Sequence, residues 1–252
     1  MTAIGTAQLA PRTTAGAAVT PLPGGWRLSI PSGPAGAYRW AQLDDYLQRP
    51  RDAFPWQPPA ALELEARASA SDLPGTWGFG WWNDPFSLSF GLGGAHRRLP
   101  ALPNAAWFFH ASAPNFLSIH DDLPAQGFLA ATFRSKRWPP VLLLLALAFA
   151  PLLGWPAAAR RLRRMARRWV HQSAVLLDLD TTQWHHYAIV WEIEQVVFIV
   201  DGNRVLATGI SPAAPLGLVI WIDNQYAAFT PQGEVKLGTL ATPAESWIEV
   251  RM

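Results

Sequence analysis

The chain has 252 residues, half of them hydrophobic and only 15% charged, with a formal net charge of +2. That is enough for one large all-β domain or two small ones, and the near-neutral total excludes a molecule-wide polyanion binder. There is no cysteine, so disulfides, thiolate metal sites and cysteine nucleophiles are excluded.

Residues 1–24 are rich in Ala, Thr, Pro and Gly, lack a charged start followed by an apolar run, and read as a loose arm without a signal peptide. Residues 26–30 form a short apolar strand, and residues 49–59 carry four prolines and read as a surface loop. Residues 62–68 (LELEARA) alternate apolar and polar, the mark of a half-buried strand. Glu63, Glu65 and Arg67 share one face of it, where cross-strand ion pairs are the simplest role. In the aromatic run 76–82, Trp77, Phe79 and Trp81 fall on one face and Gly78, Gly80 and Trp82 on the other. Further strands are expected at residues 86–90, 105–111, 116–120 and 127–133. They are also expected at 174–180, 184–191, 195–201, 216–223 and 247–252. Asp201-Gly202-Asn203 is a tight-hairpin signal. So many short strands argue for an antiparallel β-sandwich built from residues 25–133 and 174–252.

Residues 134–173 interrupt it. Positions 138–159 hold no charged residue, but Pro139, Pro140, Pro151 and Pro156 leave only 141–150 as a clean helical piece. Basic residues flank both ends, which favours keeping both on the cytoplasmic side. Residues 157–173 read as an amphipathic helix with six arginines around an apolar stripe, the composition of a helix lying in a membrane interface. The expectation is a monotopic anchor, contacting lipid through Val141, Leu144, Leu147, Phe149, Leu152, Trp155, Leu162, Arg164, Met165, Arg168 and Trp169. The competing reading is a helical pair packed on the sandwich or on a partner. Nucleic acid is not expected, because the arginines abut an apolar run.

Two segments carry a resemblance. Residues 62–82 (LELEARASASDLPGTWGFGWW) and 184–202 (WHHYAIVWEIEQVVFIVDG), with residues 247–250 closing the chain, resemble the laminarinase-type glycoside hydrolases of family 16. These belong to the concanavalin A-like lectin/glucanase group. The resemblance implies a jelly-roll sandwich with a groove. In that family the chemistry sits on a strand of pattern Glu-x-Asp-x-x-Glu, because a retaining glycosidase needs two carboxyls about 5–5.5 Å apart. The equivalent strand here is expected at residues 106–111, which hold no carboxylate, and the motif occurs nowhere in the chain.

The expectation is therefore a disarmed, non-catalytic scaffold binding an apolar or carbohydrate ligand between aromatic rings. The candidate ligand-binding residues are Trp77, Trp81, Trp82, Trp107, Phe109, His110 and Trp221. No catalytic residue, metal site or cofactor is assigned. The alternatives are an enzyme with changed chemistry using His110, His120 or Asp121, and a structural protein docking through the inserted helices. Glu192 and Glu194, Asp178 and Asp180, and His185-His186 read as turn, surface or packing residues.

Overall fold

The computed structural model describes residues 9–85, 98–136, 138, 143 and 154–252. Two seven-stranded antiparallel sheets face each other. The first runs in the order β1 (Ala10–Thr13), β4 (Trp40–Asp44), β13 (Gly217–Asp223), β6 (Thr76–Trp82), β7 (Ala105–Ala111), β8 (Gly127–Ser135), β9 (Val170–Leu176). The second runs β12 (Asn203–Thr208), β11 (Val196–Val200), β10 (His185–Trp191), β5 (Ala60–Ala68), β16 (Ser246–Arg251), β3 (Gly25–Ile30), β2 (Ala18–Leu22). A hairpin of β14 (Gln225–Phe229) and β15 (Val235–Thr239) stands apart, and among the described residues the helix α1 spans Pro156–Ala166. This is the expected sandwich. Strands before and after the interruption are interleaved in both sheets, with β13 between β4 and β6, and β5 between β10 and β16.

The hydrophobic effect explains the layering. Alternate residues of the central strands converge between the sheets: Leu62, Leu64 and Ala66 of β5, Trp77, Phe79 and Trp81 of β6, Phe108 of β7, Tyr187, Ile189 and Trp191 of β10. The other face of β5 is an ion-pair ladder. Glu249 binds Arg27 at 2.6 Å and Arg67 at 2.8 Å, and Arg251 lies 3.7 Å from Glu65. Trp247 underlies both Arg27 and Arg67. The 201–203 turn closes as expected: Asp201 and Gly202 both have positive φ, the two-residue hairpin geometry.

Three expectations differ. The strand expected at residues 116–120 is only an isolated bridge, Phe116↔Ala228. The N-terminal arm contains two strands: β1 and β2 sit on sheet edges, where Pro11 and Pro21 need donate nothing inward. The helix expected over 157–173 ends at Ala166, and β9 begins at Val170 and pairs with β8 through Ser135↔Val170. The strand expected at 86–90 lies outside the described residues. So does the helical piece at 141–150 apart from Leu143, and with it the contact residues Val141, Leu144, Leu147, Phe149 and Leu152. Among the described residues, no helix is long and apolar enough to cross a membrane.

Candidate functional site

The outward face of the first sheet carries the aromatic cluster. Its geometry follows from two glycines. On β6, Gly78 lies between Trp221 of β13 and Phe109 of β7, and Gly80 lies between Val219 and Trp107. A β-carbon on Gly80 would stand 2.4 Å from the Ala106 carbonyl oxygen and 2.6 Å from Trp107, and its φ of +147° suits only glycine. The bare strip lets rings from the two neighbouring strands meet above it. Trp107 and Trp221 are 5.5 Å apart between centroids, and Trp82 lies 5.8 Å from Trp107. Trp82 and Trp221 stack almost parallel, at 6.4 Å and 4°. Phe109 and Phe133 extend the cluster beyond Trp107, at 5.4 and 6.1 Å. Phe109 is buried in a cluster that Leu117 and Ile119 pack against, whereas the three indoles are half-buried.

A polar relay closes one end of this face. The Trp221 indole N–H donates to the Thr76 hydroxyl at 3.0 Å, and that hydroxyl donates to Asp223 Oδ1 at 3.0 Å. The backbone N–H groups of Gln225 and Thr76 donate to the same oxygen at 3.1 and 3.3 Å. Burial nevertheless pushes the Asp223 carboxyl up to about 7, because the hydrogen bonds only partly offset the loss of hydration. At the other end Asp44 is buried, accepts from Leu47 N–H at 2.9 Å and from Gln42 at 3.1 Å, and lies 3.4 Å from Arg12. Asp223 pairs in register with Trp40, and Asp44 with Val219. The two acids thus stand four positions apart along the strands, about 14 Å at the strand rise.

Not all expected site residues reach this face. Trp82, Trp107, Phe109 and Trp221 do. Trp77 and Trp81 point the other way and are wholly buried between the sheets, Trp81 against Trp56 and Trp191. His110 shares their side, stacked on Trp77 at 6.0 Å. The reason is the two-residue period of a strand: faces alternate, and one step exchanges them. Glu63 and Glu65 lie on the outer face of the second sheet, as the ion-pair role requires. Asp223 was missed. Its signal was the i, i+2 spacing from Trp221, which puts both on one face.

His110 and Asp121 belong to separate environments. Asp121 is held by Arg163 at 2.9 Å and by Arg167. Burial alone would raise its carboxyl, and the bonds from Arg167 and Arg163 outweigh that and hold it below the usual carboxylate range. His120 Nε2 is 3.4 Å from the Val170 carbonyl. His185 bridges Asp201 Oδ2 at 2.7 Å and the Asp180 carbonyl at 3.0 Å, pinning the hairpin. Among the described residues, no group of three or more His, Asp or Glu could hold a metal ion.

The helix α1 docks through a cation. Arg163 is buried, donates to Asp121 and to the Phe229 carbonyl, and lies over Phe116 and Phe229. Trp155, Leu162 and Met165 are left 71%, 41% and 39% exposed. Trp169 packs on Trp138 at 4.6 Å. A cavity of about 190 Å³ beside the helix is lined by Asp121, Arg160, Arg163, Arg164 and Arg167. Two of the six arginines counted toward a lipid surface, Arg163 and Arg167, are therefore committed to Asp121.

No family model and no curated protein matches the chain. Solved structures do resemble it. A native glycosidic hydrolase is 10% identical, with 98% of this chain and 89% of that one covered at a TM-score of 0.49. The catalytic domain of an endo-1,3-beta-glucanase (laminarinase) from Thermotoga petrophila RKU-1 is 10% identical, with 99% and 90% covered at 0.42. The carbohydrate recognition domain of Emp46p in its metal-free form is 11% identical, with 97% and 87% covered at 0.45. At such identities they assign neither substrate nor activity to this chain.

Proposed function

We propose that the chain is a non-catalytic sandwich of the family 16 hydrolase type that binds an apolar or carbohydrate ligand on the Trp82, Trp107 and Trp221 face. The observation that carries this reading is the meeting of three half-buried indoles over Gly78 and Gly80, on a strand pair whose outward positions hold no acid. Flat rings stack on a sugar face or hold an apolar chain, and the Trp221–Thr76–Asp223 relay supplies an orienting polar edge. Asp44 and Asp223, at outward positions of β4 and β13, stand about 14 Å apart along the strands, further than either spacing that glycoside hydrolysis uses.

In this reading the segment around α1 rests on a membrane surface, at its cytoplasmic side. Its support is the pairing of exposed Trp155, Leu162 and Met165 with exposed Arg161, Arg164 and Arg168 on one short helical stretch.

Two experiments test these parts separately. Purified protein is titrated with laminarin oligosaccharides and with a long-chain fatty acid, with laminarin hydrolysis followed in parallel. Saturable binding of one ligand, lost in Trp107→Ala, with no new reducing ends, is the expected result; release of reducing ends refutes the non-catalytic reading. Flotation with phosphatidylserine-containing vesicles should carry the wild-type chain upward, and a chain that stays in the dense fraction refutes the membrane contact.

A further inference from the structure

The six arginines of the inserted segment are not spread evenly around α1. At 3.6 residues per turn, Arg160, Arg163, Arg164 and Arg167 fall on one face, and Leu162 and Met165 on the opposite one. The arginine face is turned toward the sandwich, where Arg163 is 1% exposed. Together with Asp121 and Pro231 these four arginines line the cavity of about 190 Å³ between α1 and the β14–β15 turn. Gly233 lets that turn lie against the start of the helix, because a β-carbon there would stand 2.2 Å from the Pro156 carbonyl oxygen.

The charges around this space do not balance. Four guanidinium groups face one carboxylate, leaving three positive charges in surplus. Asp121 is fully used: Arg163 takes Oδ1 at 2.9 Å, and Arg167 takes Oδ2. Among the described residues, Arg160 reaches only the Gln232 carbonyl, at 3.2 Å, and Arg164 has neither a hydrogen bond nor an ion pair. The other acids close in sequence do not supply the missing charge. Glu234 on the hairpin is paired with Lys236 at 3.0 Å, and Asp122 forms no ion pair with α1. Burial and the Arg167 charge both work against the Arg163 cation, and Asp121 alone opposes them.

We infer that this cavity is a site for a phosphomonoester group, which brings the counter-charge that Asp121 alone does not. A phosphomonoester carries about 1.5 to 2 negative charges at pH 7, where a carboxylate brings one. Its oxygens also match the planar guanidinium fork, which binds phosphate through two parallel hydrogen bonds. The group could belong to a soluble molecule or to a lipid headgroup. The site does not rest on the membrane reading, since its arginines lie across the helix from Leu162 and Met165.

The test uses the full chain at about 0.15 M salt, where diffuse attraction is screened. In one arm, glycerol 3-phosphate is titrated and followed by phosphorus NMR. In the other, flotation on phosphatidic acid vesicles is compared with flotation on phosphatidylserine vesicles. Saturable binding of glycerol 3-phosphate identifies a soluble ligand, and a gain on phosphatidic acid over phosphatidylserine identifies a headgroup. In whichever arm binds, Arg160→Gln and Arg164→Gln should each weaken it five-fold or more with far-UV circular dichroism unchanged, since both leave the Asp121 bonds in place. Arg161→Gln removes the same charge from the same helix off this face, and should leave glycerol 3-phosphate binding within two-fold. Dimethyl phosphate, a monoanion with two oxygens blocked, should bind at least five-fold more weakly than glycerol 3-phosphate. Absence of both signals overturns the inference. So does an equal loss in Arg161→Gln, which would reduce the effect to the charge of the helix as a whole. Flotation on phosphatidylserine by itself bears only on the membrane contact, so the two readings fail separately.

Discussion

Asp223 offers a stringent test of the electrostatics at the aromatic face. Its carboxyl is raised from 3.8 to about 7, burial being the largest cause. The folded state therefore holds the proton more tightly than the unfolded chain does. The stability this contributes is complete below pH 3.8 and is lost as pH rises toward and through 7. A displacement of about three units, at 1.36 kcal/mol each, is worth about 4 kcal/mol. Asp223→Asn keeps the accepting oxygen for Thr76 and Gln225 and removes the charge. Relative to the wild type it should be near neutral at pH 4 and more stable by up to about 4 kcal/mol at pH 8. Urea unfolding followed by tryptophan fluorescence at several pH values measures the difference directly. A difference that stays flat from pH 4 to pH 8, or an asparagine variant less stable than the wild type at pH 8, refutes the reasoning.

Other outcomes follow from the same geometry. His110 titrates in the opposite sense: with its folded value near 4 against 6.5, the native state should lose about 3 kcal/mol as pH falls from 6.5 to 4, and His110→Phe should abolish that loss in urea titrations. Gly80→Ala meets the Ala106 carbonyl at 2.4 Å with φ at +147°, so it should cost at least about 2 kcal/mol and shift the Trp107 fluorescence environment. Trp81→Ala, wholly buried, should cost about 3–5 kcal/mol in urea unfolding, whereas Trp107→Phe should cost far less and weaken the ligand instead. Arg163→Met removes the bonds to Asp121 and Phe229, and should free α1 to early proteolysis while the sheets keep their circular dichroism.

The sandwich was legible because strand signals are local. The alternation in LELEARA, the Asp-Gly turn and the buried run LGLVIWID each reflect a two-residue period imposed by one wet and one dry face, or by two dry ones. What was not legible depends on where a strand sits in its sheet. Pro11 and Pro21 make the N-terminal segment look like a loose arm, yet proline is acceptable on an edge, and β1 and β2 are edges. The boundary between α1 and β9 was hidden for another reason. Met165, Trp169 and Val170 continue a helical spacing, but pairing of Val170 with Ser135 outweighs the weak local preference.

The site turned on a choice of face that the alternation of Trp77 to Trp82 leaves open, although the glycines hold the answer. A face of Gly78 and Gly80 cannot fill the space between two sheets, so the faces carrying Trp77, Phe79 and Trp81 had to be the inner ones. That assignment carries across the register. It puts Trp107 and Phe109 outward with the glycines, and sends Phe108 and His110 inward. Once His110 is inward it cannot serve a ligand stacked on Trp107, since the sheet itself stands between them. The same step that removes the histidine from the aromatic face puts Asp223 onto it beside Trp221, and leaves two polar environments back to back across β7.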